Sequence, residues 1–96
     1  MPLLPVFLDL QGRQCLLVGS GEMAGRKLRL LQQAGAVVTV AGNDFSESDL
    51  AGMVLVVAAS DDPVLNERIS LAAQSRRIPV NVVDQPHLCS FVFPAI

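Results

Sequence analysis

An apolar run that ends abruptly in a glycine-rich turn constrains this chain more than any other feature. The stretch is Cys15-Leu16-Leu17-Val18-Gly19-Ser20-Gly21-Glu22-Met23-Ala24, and a helix-like pattern follows it. Strand, Gly-x-Gly-x-x-Ala turn and helix, in that order, form the context a dinucleotide fingerprint requires. Gly19 permits the tight turn, and Gly21 lets backbone approach a pyrophosphate without a Cβ in the way. Ala24 is small enough for the helix to pack close to the strand. The phosphates belong at the helix N-terminus, where unpaired N–H groups and the helix dipole favour negative charge. The motif alone is weak, because Gly-rich turns also serve as plain connectors. Its position between strand and helix gives it weight.

With 96 residues, 51% hydrophobic and 17% charged, the chain is long enough for one core and too apolar to be disordered. No apolar stretch approaches the roughly twenty residues of a membrane span. Met1-Pro2-Leu3-Leu4-Pro5 lacks the positive charge of a signal peptide. These features point to a cytoplasmic protein. A formal net charge of -2 gives no reason to expect nucleic acid. Cys15 and Cys89 are too few and too far apart for a metal knuckle, and no metal ligands are expected. Both lie in apolar runs and read as buried free thiols.

Taken in order, Pro5 to Leu10 alternates loosely and predicts a short edge strand. Cys15 to Val18 predicts a strand covered on both faces. Glu22 to Ala34 predicts a helix with Ala24, Leu28 and Leu31 on its inner side and Gly35 as C-cap. Arg26, Lys27 and Arg29 lie among them. A solvated face is the plain reading of these three, and attraction of an anionic ligand by Arg26 or Lys27 is the alternative. Ala36 to Ala41 predicts a second strand, which makes a parallel βαβ unit. The acidic residue expected about twenty positions past the glycines is missing, since the strand ends in Ala41-Gly42 and Asp44 comes late. Backbone groups or Asp44 must then serve the ribose. No Arg stands nearby to receive a 2′-phosphate, which favours NAD over NADP.

Asp44, Glu47 and Asp49 read as a solvated face, with a short helical turn over Ser46 to Leu50. Met53 to Ala59 predicts a third strand. Asp61 or Asp62 is a natural N-cap for the next helix, with Pro63 in its first turn and Leu65, Ile69 and Ala72 as its stripe. Arg76-Arg77 closes it. Ile78 to Val83 predicts a fourth strand and Cys89 to Phe93 a last short one. The apolar end at Pro94-Ala95-Ile96 suggests a fragment. The resulting fold class is α/β: a Rossmann-like, mostly parallel sheet with helices on both faces, forming one NAD-binding domain over residues 1–96.

In such a sheet the carboxyl ends of the strands line the ligand crevice. Asp84 follows the fourth strand and precedes a loop broken by Pro86. It is placed either to act as a general acid or base or simply to cap the turn. His87, the single histidine, reads as a structural or solvated loop residue ahead of an acid/base group or metal ligand.

Several blocks in the right order carry a family resemblance. They are Leu4-Pro5-Val6-Phe7, Val18 to Ala24 with Arg26-Lys27, Ala34-Gly35-Ala36, and Ala58-Ala59-Ser60-Asp61-Asp62 with Leu65-Asn66. Asn81-Val82-Val83-Asp84 and Cys89-Ser90-Phe91-Val92-Phe93-Pro94 complete the set. The chain resembles the N-terminal domain of siroheme synthase, in the precorrin-2 dehydrogenase and sirohydrochlorin ferrochelatase family. The resemblance implies NAD-dependent oxidation of precorrin-2 to sirohydrochlorin, followed by Fe²⁺ insertion to give siroheme. The implied substrates are thus tetrapyrroles and Fe²⁺, in an oxidoreductase that also works as a lyase. It places NAD on Gly19, Gly21, Glu22 and Met23 and near Ala41 and Gly42. It makes Asp84 the acid/base residue of dehydrogenation, implicated also in chelation, and implies a homodimer for the full-length protein.

Two departures from the family stand out. The connection between the second and third strands, Ala41 to Gly52, is shorter by about twenty residues that would carry an extra helix and strand. The family's dimerisation, C-terminal helical and methyltransferase regions are also absent. The alternative functions are a regulatory NAD(H)-sensing domain, which makes no demand on Asp84, and a degenerate structural Rossmann module.

Overall fold

A computed structural model of the chain describes residues 2–94. Four parallel strands form one sheet in the order β2-β1-β3-β4: β1 Gln14–Gly19, β2 Val37–Ala41, β3 Leu55–Ala59 and β4 Val80–Val82. The helices α1 (Glu22–Gln33) and α2 (Pro63–Ser75) connect them, and 3-10 turns occupy Glu47–Leu50 and Pro86–Leu88.

The period-2 alternation of a strand sorts the core into two layers. Leu16 and Val18 of β1, Val56 and Ala58 of β3, and Val80 and Val82 of β4 pack against Leu65, Ile69, Ala72 and Ala73 of α2. Cys15, Leu17, Leu55 and Val57 point the other way, onto Ala24 and Leu31 of α1. One helix therefore covers each face, which is why the central strands read as unbroken apolar runs. Ile69 is wholly buried, worth roughly 2–3 kcal/mol of transfer free energy.

Helix α1 ends as Gly35 predicts. Gly35 has φ +82, its N–H donates to the Gln32 carbonyl, and the Ala36 N–H reaches back to Leu31. These bonds satisfy carbonyls that the helix end leaves open. Helix α2 begins on Asp62, whose Oδ1 accepts from the N–H groups of Val64 at 3.0 Å and Leu65 at 3.4 Å. Asp62, not Asp61, is the cap. Arg76 closes α2, and Arg77 beyond it has φ +57.

Two predicted strands are not formed. Pro5 to Leu10 is irregular and exposed, with Phe7 fully in solvent and only Leu10 packed on the core. No neighbouring strand gives its backbone a ladder, and an unpartnered strand is not stable. Cys89 to Phe93 runs beside β4 without forming a regular ladder. The Val80 carbonyl accepts from the Ser90 N–H at 2.8 Å, but side chains answer the N–H groups of β4: Val80 N–H donates to Ser90 Oγ at 2.9 Å and Val82 N–H to Cys89 Sγ at 3.1 Å. Cys89 is thus half-buried and hydrogen-bonded, where the sequence predicts full burial like that of Cys15. The other sheet edge is bare, with Val37 and Val40 of β2 about half exposed. Ala95 and Ile96, on which the expectation of an apolar chain end rests, lie outside the described residues, as does Met1 of the leader reading.

Candidate dinucleotide site

The strand order reverses between β1 and β3, and a cavity of about 540 Å³ opens where their carboxyl ends part. Such a switch point is where open α/β sheets bind ligands. Gly19, Ser20, Glu22 and Met23 form one wall. Gly42 and Asn43 come from the end of β2, Ala59 to Asp61 from β3, and Val83 and Asp84 from β4. Four strand ends thus converge on one crevice.

Gly19 and Gly21 require glycine for different reasons. Gly19 has φ +134 and lies so close to Ala59 that a Cβ would fall 2.8 Å from the Ser60 nitrogen, with the Ala59 carbonyl nearer still. Gly21 has φ +94, but a Cβ there meets nothing within 4 Å. Open space in front of Gly21 is the cradle that a Cβ would fill. Behind it, α1 starts without any side-chain cap. Its first-turn N–H groups are left for solvent or an anion, in contrast to the capped start of α2.

The loop after β3 is held from beneath. The Asn66 side chain is 4% exposed. Its Nδ2 donates to the Ser60 carbonyl at 3.0 Å, and its Oδ1 accepts from Ser60 Oγ at 2.6 Å. The sequence contains Asn66 in a family block but gives no sign of this clamp, because its partner is on the preceding loop.

Asp84 is exposed and has φ +64, which is rare for a residue with a Cβ and tolerated best by Asn and Asp. It sits in a turn closed by the Gln85 N–H donating to the Val82 carbonyl at 3.2 Å. Its carboxylate lines the crevice and also an adjoining cavity of about 270 Å³ that reaches Lys27 and Phe93. Ala41 packs against the core at the end of β2, while Gly42 and Asn43 reach the crevice. Asp44 is exposed beside Gly42. His87 is exposed and borders neither cavity. Among the described residues no group of three His, Cys, Asp or Glu side chains comes together as a metal site. Nor is any helix among them long and apolar enough to cross a membrane. A separate concavity of about 510 Å³, between Phe45 and Arg68, contains none of the predicted site residues.

The family model described as putative NAD(P)-binding matches residues 6–95. The chain belongs to this NAD(P)-binding family. The family's cofactor fits the open cradle at Gly21 and the uncapped start of α1. All of the chain aligns with siroheme synthase of Azotobacter vinelandii at 47% identity and with that of Ectopseudomonas mendocina at 50%, in each case over 25% of the relative. The chain therefore spans about a quarter of the length of these curated relatives. The first alignment runs over 116 positions where this chain has 96 residues, so that relative carries about twenty positions without a counterpart here. A solved structure titled "SirC, precorrin-2 dehydrogenase" superposes with a TM-score of 0.71 at 25% identity, covering 98% of this chain and 53% of that one. The Rossmann-like architecture predicted from the apolar runs is the one observed.

Proposed function

We propose that this chain forms the dinucleotide-binding part of an enzyme that oxidises precorrin-2 to sirohydrochlorin, with NAD⁺ in preference to NADP⁺. The observation that carries the reading is the position of Asp84. A carboxylate on left-handed backbone stands at the boundary between the crevice of Gly19 to Met23 and a second cavity. Glycine would fit that backbone with less strain, so the carboxylate itself has a use there. The siroheme synthase and SirC relatives support the substrate class.

When bound, the nicotinamide supplies the hydride acceptor. The chain's own residues do the rest. First-turn N–H groups of α1 hold the pyrophosphate, with Gly21 leaving room for it. Gly42 and Asn43 border the adenosine side by default of an acidic ribose partner, and no cation there invites a 2′-phosphate. Asp84 accepts the proton that precorrin-2 releases as its hydride departs. If the protein also inserts Fe²⁺ into sirohydrochlorin, two pyrrole protons leave, and the same carboxylate is placed to take one. The tetrapyrrole supplies the metal's nitrogens, so no protein ligand set is needed. On this reading the protein works in the cytoplasm, as a homodimer when it carries the relatives' further length.

The test is direct: precorrin-2 and NAD⁺ are mixed with the protein, and sirohydrochlorin absorbance is followed. Turnover that is lost in Asp84→Asn with NAD⁺ binding kept supports the assignment. Tight nucleotide binding with no tetrapyrrole turnover instead favours a regulatory NAD(H)-sensing domain.

A further inference from the structure

Lys27 stands between two cavities. It lines the 270 Å³ space that holds Asp84, and also a groove of about 360 Å³ on the outer side of α1. That groove is bordered by Arg26, Arg29, Gln33 and Pro94 and by no acidic residue. The Lys27 ammonium lies 4.5 Å from the centre of the Phe93 ring, and the residue is half-buried. Phe93 is itself held edge-on by Phe91, with ring centres 5.2 Å apart. Arg26 is occupied by Glu22 at 2.9 Å, whereas no carboxylate among the described residues pairs with Lys27. A half-buried cation held on an aromatic face without an anion is placed to receive one from outside.

Lys27 does not line the crevice assigned to the dinucleotide. Lys27 is the sixth residue of α1, so its Cα lies ~7.5 Å along the helix from Glu22, beyond the turn that takes the pyrophosphate. The Asp84 cavity is also below the roughly 300–1,000 Å³ of pockets that enclose a drug-sized molecule. A large ring can lay only one edge into it, between the apolar sides of Met23, Pro86 and Phe93. Lys27 and Asp84 line this same space, so a ring edge seated there meets both.

We propose that Lys27 binds a peripheral carboxylate of the tetrapyrrole beside Asp84, with Arg29 strengthening the positive field behind it. This rests on the enzymatic reading above. Lys27 is a substrate-binding residue, and proton transfer belongs to Asp84. The charge-assisted pair is lost in Lys27→Met, which keeps the aliphatic stem over Phe93, and is kept in Lys27→Arg.

The experiment has two arms. In steady-state assays Lys27→Met raises the KM for precorrin-2 about tenfold, leaves kcat within about threefold and leaves the KM for NAD⁺ unchanged. Lys27→Arg restores the precorrin-2 KM. In equilibrium titrations with uroporphyrin, a non-reacting octacarboxylate, Lys27→Met weakens binding about tenfold and flattens its salt dependence. Wild-type turnover with an unaltered precorrin-2 KM in Lys27→Met overturns the role of Lys27 and leaves the enzymatic reading standing. A wild type that binds NAD⁺ and never oxidises precorrin-2 overturns the enzymatic reading. The uroporphyrin arm needs no turnover, and in that case it alone decides whether Lys27 binds carboxylates.

Discussion

Gly19 and Ala59 are register partners at the ends of β1 and β3, and they leave no room between them for a methyl group. The sheet opens one residue later, so this contact sets the floor of the crevice. Gly19→Ala combines a φ of +134 with a backbone clash and should cost about 3 kcal/mol or more. That is a large share of a small domain's stability. Gly21→Ala has the backbone strain alone, about 1–3 kcal/mol, and its Cβ points into open space. Urea titrations should therefore separate the two variants clearly, while NAD⁺ titration should show Gly21→Ala folded and weakened in nucleotide binding. Equal destabilisation by both would refute this division of roles.

Asp84→Asn should keep the backbone, because Asn tolerates φ near +64 as well as Asp does. Precorrin-2 oxidation should fall by about 10²–10⁴-fold, the range of a general acid or base. The melting temperature and the dissociation constant for NAD⁺ should stay near wild type. Asp84→Gly is the stricter control, because it relieves the strained position. A variant that gains stability and loses turnover shows strain retained for chemistry. Full activity in Asp84→Asn would remove the residue from the mechanism.

Much of this was readable in advance, for identifiable reasons. Cys15 to Val18 and Leu55 to Ala59 are buried on both faces, so their unbroken apolar runs announced central strands. Gly35 and Pro63 marked helix boundaries through backbone chemistry that depends on no distant partner. The failures lie where the outcome depends on what sits alongside. Pro5 to Leu10 alternates like a strand but pairs with no strand of the sheet. Cys89 to Phe93 has the edge of β4 beside it, yet Ser90 and Cys89 answer two β4 N–H groups with side chains, and no regular ladder forms. The site shows the same split. Gly19 and Gly21 are local signals, whereas the Lys27–Phe93 contact joins residues far apart in the chain, and the Asn66 clamp on Ser60 depends on how the loop after β3 folds back.

The start of α2 offers a test of how the crevice wall is held. Asp62→Ala removes the cap on Val64 and Leu65 and should cost about 1 kcal/mol. Asn66→Ala leaves the Ser60 carbonyl and hydroxyl without their inner partner and should cost about 1–3 kcal/mol. Of these two side chains, only that of Asn66 anchors a residue lining the crevice, Ser60, which Asp62 touches through its backbone and so keeps in Asp62→Ala. Calorimetric NAD⁺ titration should accordingly show weaker binding in Asn66→Ala than in Asp62→Ala, even after the two are compared at equal stability. Identical affinities would show that the loop after β3 holds its shape without the clamp.

Cys15 gives the fold a pH dependence of definite sign. The thiol is buried between the sheet and α1, and burial pushes it above its ordinary value of 9.0. Above about pH 9 the unfolded chain loses this proton while the folded chain keeps it. The unfolded state then binds fewer protons, so stability falls as pH rises through the window above 9.0. The slope contributed by one thiol is at most about 1.4 kcal/mol per pH unit. Cys15→Ala should be less stable than wild type at pH 7, because it leaves a small cavity. The gap should narrow as pH rises above 9.0, the window this shift opens. Urea midpoints of the two proteins measured across that range check the prediction. A gap that stays constant would show that the folded chain ionises Cys15 as easily as the unfolded one, which a wholly buried thiol with no cation beside it has no means to do.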